Sequence, residues 1–304
     1  MASRRQSDPV ITALSALAPD AQLSWGELVR DDGRHLRWIE TNSTGPTILL
    51  VGGAGDTVLD WGPILPALAT DFRVIAYDRA GLGASDPVRG RLTIESQVDD
   101  MVALLDAHGP TLLVGHSWGG LLAQFAAAAR PAQVTGLVLI DPTHEGVMAV
   151  VPTRLRITSD LSLAWMVLLK YAGLFDKQLD RFAEGLMKVC SDDPATQQLV
   201  LAAYRAEYAE RYQVASVRTE NRLAGGVEAA RRARAANPPA DVPMTVLTAT
   251  RGKLPVLQVR AAELAEETAA AYPQGQHIVV DDAGHYIHHD QPAAAAAAIK
   301  AAAG

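Results

Sequence analysis

Six runs of apolar, largely β-branched residues constrain this chain more than any other feature. They cover residues 46–53, 72–78, 111–117, 135–141, 244–250 and 276–282. The runs are continuous rather than alternating, so each reads as a strand buried on both faces, as in a parallel sheet covered by helices. Residues 25–30 and 35–41 read as a hairpin closed at Asp31-Asp32-Gly33. Between the runs lie segments of helical spacing. Residues 93–108 place Ile94, Val98, Met101, Val102 and Leu105 on one side, and Gly109-Pro110 stops them. Residues 118–130, 258–271 and 291–303 read as three more helices. Strand alternating with helix predicts an α/β fold with a mostly parallel, doubly wound sheet.

One interval breaks the rhythm. Residues 142–240 hold no convincing strand and read as helices at 161–175, 177–190, 195–214 and 217–236. Such a length is far beyond a loop in a compact domain. We read it as a helical cap inserted after strand six, with the core formed by residues 1–141 and 241–304. The stretch 161–175 is apolar nearly all round, so one side is expected to pack and another to line a pocket. Trp165 and Met166, together with Gly53, are the expected substrate contacts.

The 304 residues carry a net charge of −7, which gives no general attraction for nucleic acid. The run Arg231-Arg232-Ala233-Arg234 reads as a solvated helix face. The longest apolar run, residues 161–169, is about half of what a membrane span needs. The short apolar stretch at 10–18, approached through Asp8-Pro9, is not read as a signal peptide. The single cysteine, Cys190, excludes an internal disulfide and fits a reducing, cytoplasmic location. No motif calls for a metal or an organic cofactor. A small molecule is the expected partner, and a homodimer is left open.

The segment Leu-Leu-Val-Gly-His-Ser-Trp-Gly-Gly-Leu at 112–121 places Ser117 between a strand and a helix. Ligands of open α/β sheets bind at the carboxyl ends of strands, where such a serine projects. Gly115 and Gly119 remove side chains that would collide at the bend. The amide of Trp118 opens the helix, and a helix N-terminus favours an oxyanion. A serine hydroxyl needs a base. His285 follows the last predicted strand and is the candidate. His116 is expected to point away from the hydroxyl and pack, and His288 and His289 are placed on the surface or rim. The amide of Ala54, in Gly52-Gly53-Ala54-Gly55, is the candidate for a second oxyanion donor.

Together with Tyr-Asp-Arg-Ala-Gly-Leu-Gly-Ala-Ser-Asp at 77–86, these motifs resemble the α/β-hydrolase fold superfamily across nearly the whole chain. The resemblance implies a Ser–His–acid mechanism. It does not name a substrate. It is closest to members with an esterase-like core and a cap. Two departures matter. Gly52-Gly53 replaces the usual His-Gly, which removes a side chain that helps brace the oxyanion loop. The usual acid after strand seven is also missing, since that exit reads Thr248-Ala249-Thr250-Arg251-Gly252-Lys253. Haloalkane dehalogenases that carry the acid after strand six place it at the position matching Asp141. Asp141 is therefore the expected acid and Glu145 the second choice. Dehalogenases and epoxide hydrolases use an aspartate nucleophile, so serine at 117 argues against those activities. The expected activity is cleavage of an ester, lactone or thioester of a small, largely hydrophobic substrate through an acyl-enzyme. The alternatives are a lyase or carbon–carbon hydrolase using the same triad, or a low-turnover binding protein.

Overall fold

The computed structural model of the chain describes residues 8–304, apart from the side chain of Lys177. Residues 1–7, the start of the expected core, lie outside them. The strands are β1 (Leu23–Val29), β2 (His35–Thr41), β3 (Thr47–Val51), β4 (Arg73–Asp78), β5 (Thr111–His116), β6 (Val134–Ile140), β7 (Met244–Ala249) and β8 (Gln276–Val280). They form one sheet in the order β1-β2-β4-β3-β5-β6-β7-β8. β2 runs antiparallel to β1 and β4, and every other pair is parallel. The chain leaves β3 to one side for β4 and returns to its other side for β5. That reversal is the crevice where such sheets bind ligands.

The helices before β6 are α1 (Pro9–Leu17), α2 (Leu65–Leu68), α3 (Ile94–His108) and α4 (Ser117–Ala129). Between β6 and β7 come α5 (Glu145–Met148), α6 (Thr153–Tyr171), α7 (Asp176–Cys190), α8 (Pro194–Glu207), α9 (Arg211–Ala224) and α10 (Val227–Ala236). The chain ends with α11 (Pro255–Ala270), α12 (Ile287–Asp290) and α13 (Pro292–Ala303).

The continuous apolar runs are explained by the two faces of the sheet. Side chains alternate along a strand. Ile48, Leu50, Leu112, Val114, Val138 and Ile140 enter the layer that contains residues of α1 and α13. Leu49, Val51, Leu113, Leu137 and Leu139 enter the layer that contains residues of α3 and α4. Burying one such side chain contributes about 1.5–3 kcal/mol. α3 starts where Thr93 Oγ1 accepts from Ser96 N at 3.1 Å and Ser96 Oγ accepts from Thr93 N at 3.0 Å. It ends at Gly109, whose φ of +79° suits glycine.

Three expectations change. β8 is apolar but is an edge strand, with Val279 54% exposed, because only β7 pairs with it. The helix expected at 195–214 divides into α8 and α9 around Tyr208, whose hydroxyl donates to Gly55 O at 3.1 Å. The helix expected at 217–236 breaks at Gly225-Gly226, where two residues without side chains weaken helix propagation. The inserted helices also share the main core. Val200 and Ala203 of α8 are buried in the same cluster as Ala13 and Leu14 of α1.

Candidate active site

β5 passes into α4 without an intervening loop, and Ser117 sits at the junction with a φ of +49°. A left-handed backbone costs a non-glycine residue roughly 1–3 kcal/mol and survives only where packing enforces it. The packing here is severe. A Cβ on Gly115 would lie 2.6 Å from Gly119 O, and one on Gly119 would lie 2.2 Å from Val51 O. Both glycines are needed for the bend.

The neighbouring strand β6 ends at Ile140, and Asp141 turns with a φ of +43°. Its amide donates to Leu247 O at 2.8 Å, which ties the turn to β7. His285 comes from the loop after β8. Ser117 Oγ lies 2.9 Å from His285 Nε2, and Asp141 Oδ2 lies 2.5 Å from His285 Nδ1. With the proton on Nδ1, the ring donates to the carboxylate and accepts from the hydroxyl. Asp141 is buried, which works against its charge. The hydrogen bond and charge of His285 and the charge of Lys253 outweigh that burial and hold its pKa below the ordinary carboxylate value. Lys253 Nζ contacts the same Oδ2, and Ala249 N donates to Oδ1 at 3.2 Å. Glu145 is elsewhere, held by Arg234 Nε at 2.6 Å and Nη2 at 3.0 Å. Arg234 therefore departs from the solvated face read for its run.

His116 does point away from the Ser117 hydroxyl, but it does more than pack. Its Nδ1 lies 2.9 Å from Asp56 Oδ2, and its Nε2 lies 3.1 Å from His285 O. Both nitrogens face acceptors, which suits a ring protonated on both. Burial opposes that charge and lowers the His116 pKa, against the pull of Asp56. The Asp56 charge is the securer of the two, because Gly53 N at 2.6 Å and the Tyr286 hydroxyl at 2.9 Å also donate to it. Burial disfavours the carboxylate, yet His116 first, then the Tyr286 hydroxyl and the charge of Arg79, bring its pKa to about 2. Asp56 and His116 thus clamp the loop that carries His285. A Cβ on Gly53 would come within 2.9 Å of both groups.

His288 is neither on the surface nor at the rim, whereas His289 is half-buried, as a rim residue is. His288 is fully buried, its ring 4.6 Å from that of Trp61, and His289 Nε2 lies 2.8 Å from Asp60 O. The short helix α12 turns His288 inward and leaves His289 half-buried.

Ser117 and His285 open into a cavity of about 910 Å³. Gly53 and Ala54 line it near the serine, and Met148, Leu155, Leu161 and Leu264 give it an apolar wall. α6 contributes through its N-terminal part, residues 153–163, rather than at the two positions expected further along the helix. Trp165 is 59% exposed, and Met166 packs with Phe175, Leu179 and Val214. Neither lines the cavity. The amide of Trp118 lies in the first turn of α4, where helix geometry provides no acceptor. Among the described residues, no group of three or more His, Cys, Asp or Glu could hold a metal ion. No described helix is long and apolar enough to cross a membrane.

Lys253, Asp56 and Tyr286 are not among the site residues expected from sequence. Asp56 had one signal, its place three residues after Gly53 in the glycine-rich loop. The partnership of Lys253 with Asp141 had none, because it spans 112 residues.

Residues 48–298 match the model of the alpha/beta hydrolase family, and the chain belongs to that family. It is 27% identical to the AB hydrolase superfamily protein YfhM of Bacillus subtilis over 82% of this chain and 87% of that one. It is 34% identical to the uncharacterized protein YqjL of the same organism, over 33% of this chain and only 41% of the relative. Among solved structures, Cfl2 from Burkholderia cenocepacia superposes with a TM-score of 0.68 at 22% identity, covering 92% of this chain and 95% of that one. Identity at that level carries the fold alone.

Proposed function

We propose that this protein is a cofactor-independent serine hydrolase acting on a carboxylic ester, lactone or thioester of a small, largely apolar substrate. The observation that carries the reading is the unbroken contact line Ser117 Oγ–His285 Nε2 and His285 Nδ1–Asp141 Oδ2 at the floor of the cavity. His285 takes the Ser117 proton as Oγ attacks the acyl carbonyl. The carbonyl oxygen gains negative charge beside the amides of Ala54 and Trp118. Collapse of this intermediate expels the alcohol or thiol, which receives the proton from His285. Water, deprotonated by the same ring, then releases the acid from the acyl-enzyme. Asp141 stabilises the imidazolium that forms in each half.

The binding-protein alternative drew its support from the missing acid after strand seven. That support weakens once a carboxylate from β6 reaches His285. A fluorophosphonate probe tests the reading. Stoichiometric labelling of wild type, lost in Ser117→Ala, supports it. A panel of acyl esters and thioesters run beside 1,3-diketones then separates ester cleavage from carbon–carbon cleavage. An unlabelled wild type with no turnover on the panel sinks it.

A further inference from the structure

We propose that Glu220 of α9 and Gln97 of α3 are positioning residues for the oxyanion site, holding the Ala54 loop and Trp118 in one fixed relation. This rests on the serine-hydrolase reading above. The sequence lacks the histidine that braces this loop in the resembled family, and it has Gly52-Gly53 instead. Two glycines leave a loop with wide backbone freedom. An oxyanion donor is useful only if its direction is set before charge develops.

The structure supplies a brace from elsewhere. Arg79 Nη1 donates to Gly52 O at 2.6 Å, and its Nη2 donates to Gly53 O. The carbonyl of Gly53 and the amide of Ala54 belong to one planar trans peptide and point in opposite directions. Fixing that carbonyl therefore aims the Ala54 amide. The next peptide is held too, because Gly55 N donates to Glu220 Oε2 at 2.8 Å. Glu220 is fully buried and also accepts from Arg79 Nε at 2.7 Å and Nη2 at 2.8 Å.

The same carboxylate is linked, through Gln97, to the side chain of the residue whose amide is the second donor. Gln97 Nε2 donates to Glu220 Oε1 at 2.5 Å, and Gln97 Oε1 accepts from the Trp118 indole at 2.9 Å. Gln97 and Trp118 are both buried. One path of hydrogen bonds thus runs from Gly55 N, in the peptide that follows Ala54, through Glu220 and Gln97 to the Trp118 indole. Glu220 lies on an inserted helix, 165 residues from Gly55. The insertion is therefore tied to the oxyanion loop as well as forming the cavity roof.

The test compares wild type, Glu220→Gln and Gln97→Met on a p-nitrophenyl ester. It adds inhibition constants for a trifluoromethyl ketone and for the product acid. Ser117 Oγ adds to the ketone carbon, its proton passes to His285, and the resulting oxyanion occupies the proposed site. The product acid makes no such adduct. Removing one oxyanion donor outright costs about 10²–10³ in turnover. Loosening both should cost about 10–100-fold in kcat, with KM within about threefold. Affinity for the ketone should fall by the same factor as kcat/KM, with affinity for the acid unchanged. Glu220→Gln leaves Arg79 without its buried counter-charge and can fail to fold. Gln97→Met removes no charge and leaves the Arg79–Glu220 pair in place, and then decides alone. Undiminished kcat in Gln97→Met overturns the brace, as does a loss shared equally by KM and acid binding. A wild type without Ser117-dependent turnover overturns the hydrolase reading itself, and the brace with it.

Discussion

Ser117 Oγ and His285 Nε2 stand 2.9 Å apart, although 168 residues separate them in the chain. The sheet makes this possible by ending β5 and β8 at the same edge. A hydroxyl in that contact is poised to lose its proton, and among the described residues that line the cavity no other hydroxyl sits at a positive φ. Ser117→Ala should fold normally, with turnover at least about 10³-fold below wild type. Alanine also lacks a β-branch, so the backbone at φ +49° is no worse served than before. Steady-state kinetics on an activated ester checks this, and activity within tenfold of wild type would contradict the nucleophile assignment.

Asp56 gives a pH-dependent prediction for stability. Its pKa falls from 3.8 to about 2 on folding. A depressed carboxylate contributes stability above its unfolded pKa and loses it as pH falls through the folded value. The linkage term is on the order of 2 kcal/mol. Asp56→Asn should therefore lower the thermal midpoint by a constant amount between pH 7 and 5. The gap should close as pH drops below about 4. A gap independent of pH down to 3 would mean that the charge of Asp56 is not what stabilises the clamp.

The cavity wall gives a third test. Met148 lines the cavity, whereas Trp165 stands 59% exposed outside it. Met148→Asp places a charge against the apolar part of a bound acyl chain. It should raise KM for a long-chain ester by about tenfold or more, with less effect on an acetyl ester. Trp165→Ala should leave both within about twofold. The reverse pattern in KM would move the substrate to the C-terminal half of α6.

What was legible in the sequence followed from period and punctuation. The apolar runs gave the strands because both sheet faces are buried, and Gly115 and Gly119 gave the bend because no Cβ fits there. β8 misled for the same reason, since an apolar run does not reveal which strand lies at an edge. Trp165 and Met166 misled because α6 is apolar along its length, and only its neighbours decide which part of it meets the cavity. His288 read as surface or rim because sequence cannot show that α12 turns it toward Trp61. The contacts of Glu220, Gln97 and Lys253 join distant segments and carry no local pattern.

The acid carries the last prediction. Asp141 reaches His285 from β6, at 2.5 Å, while Glu145 is committed to Arg234. The base must be neutral to take the Ser117 proton and positive while the tetrahedral intermediate exists. A carboxylate on Nδ1 fixes the tautomer and favours that charge. Asp141→Asn keeps the shape and removes the charge. It also offers an amide that can donate toward Nδ1, which would favour the wrong tautomer. In serine proteases the equivalent change costs about 10⁴ in turnover. A loss of at least about 10² is expected here, with poor fluorophosphonate labelling of Ser117 and an unchanged circular dichroism spectrum. Glu145→Gln should stay within about threefold. Lys253→Met should lose no more than about tenfold, because it leaves the Asp141 carboxylate and its contact with His285 in place. If Asp141→Asn keeps full turnover while Glu145→Gln loses it, the acid is Glu145, and the 2.5 Å contact serves only to hold the loop.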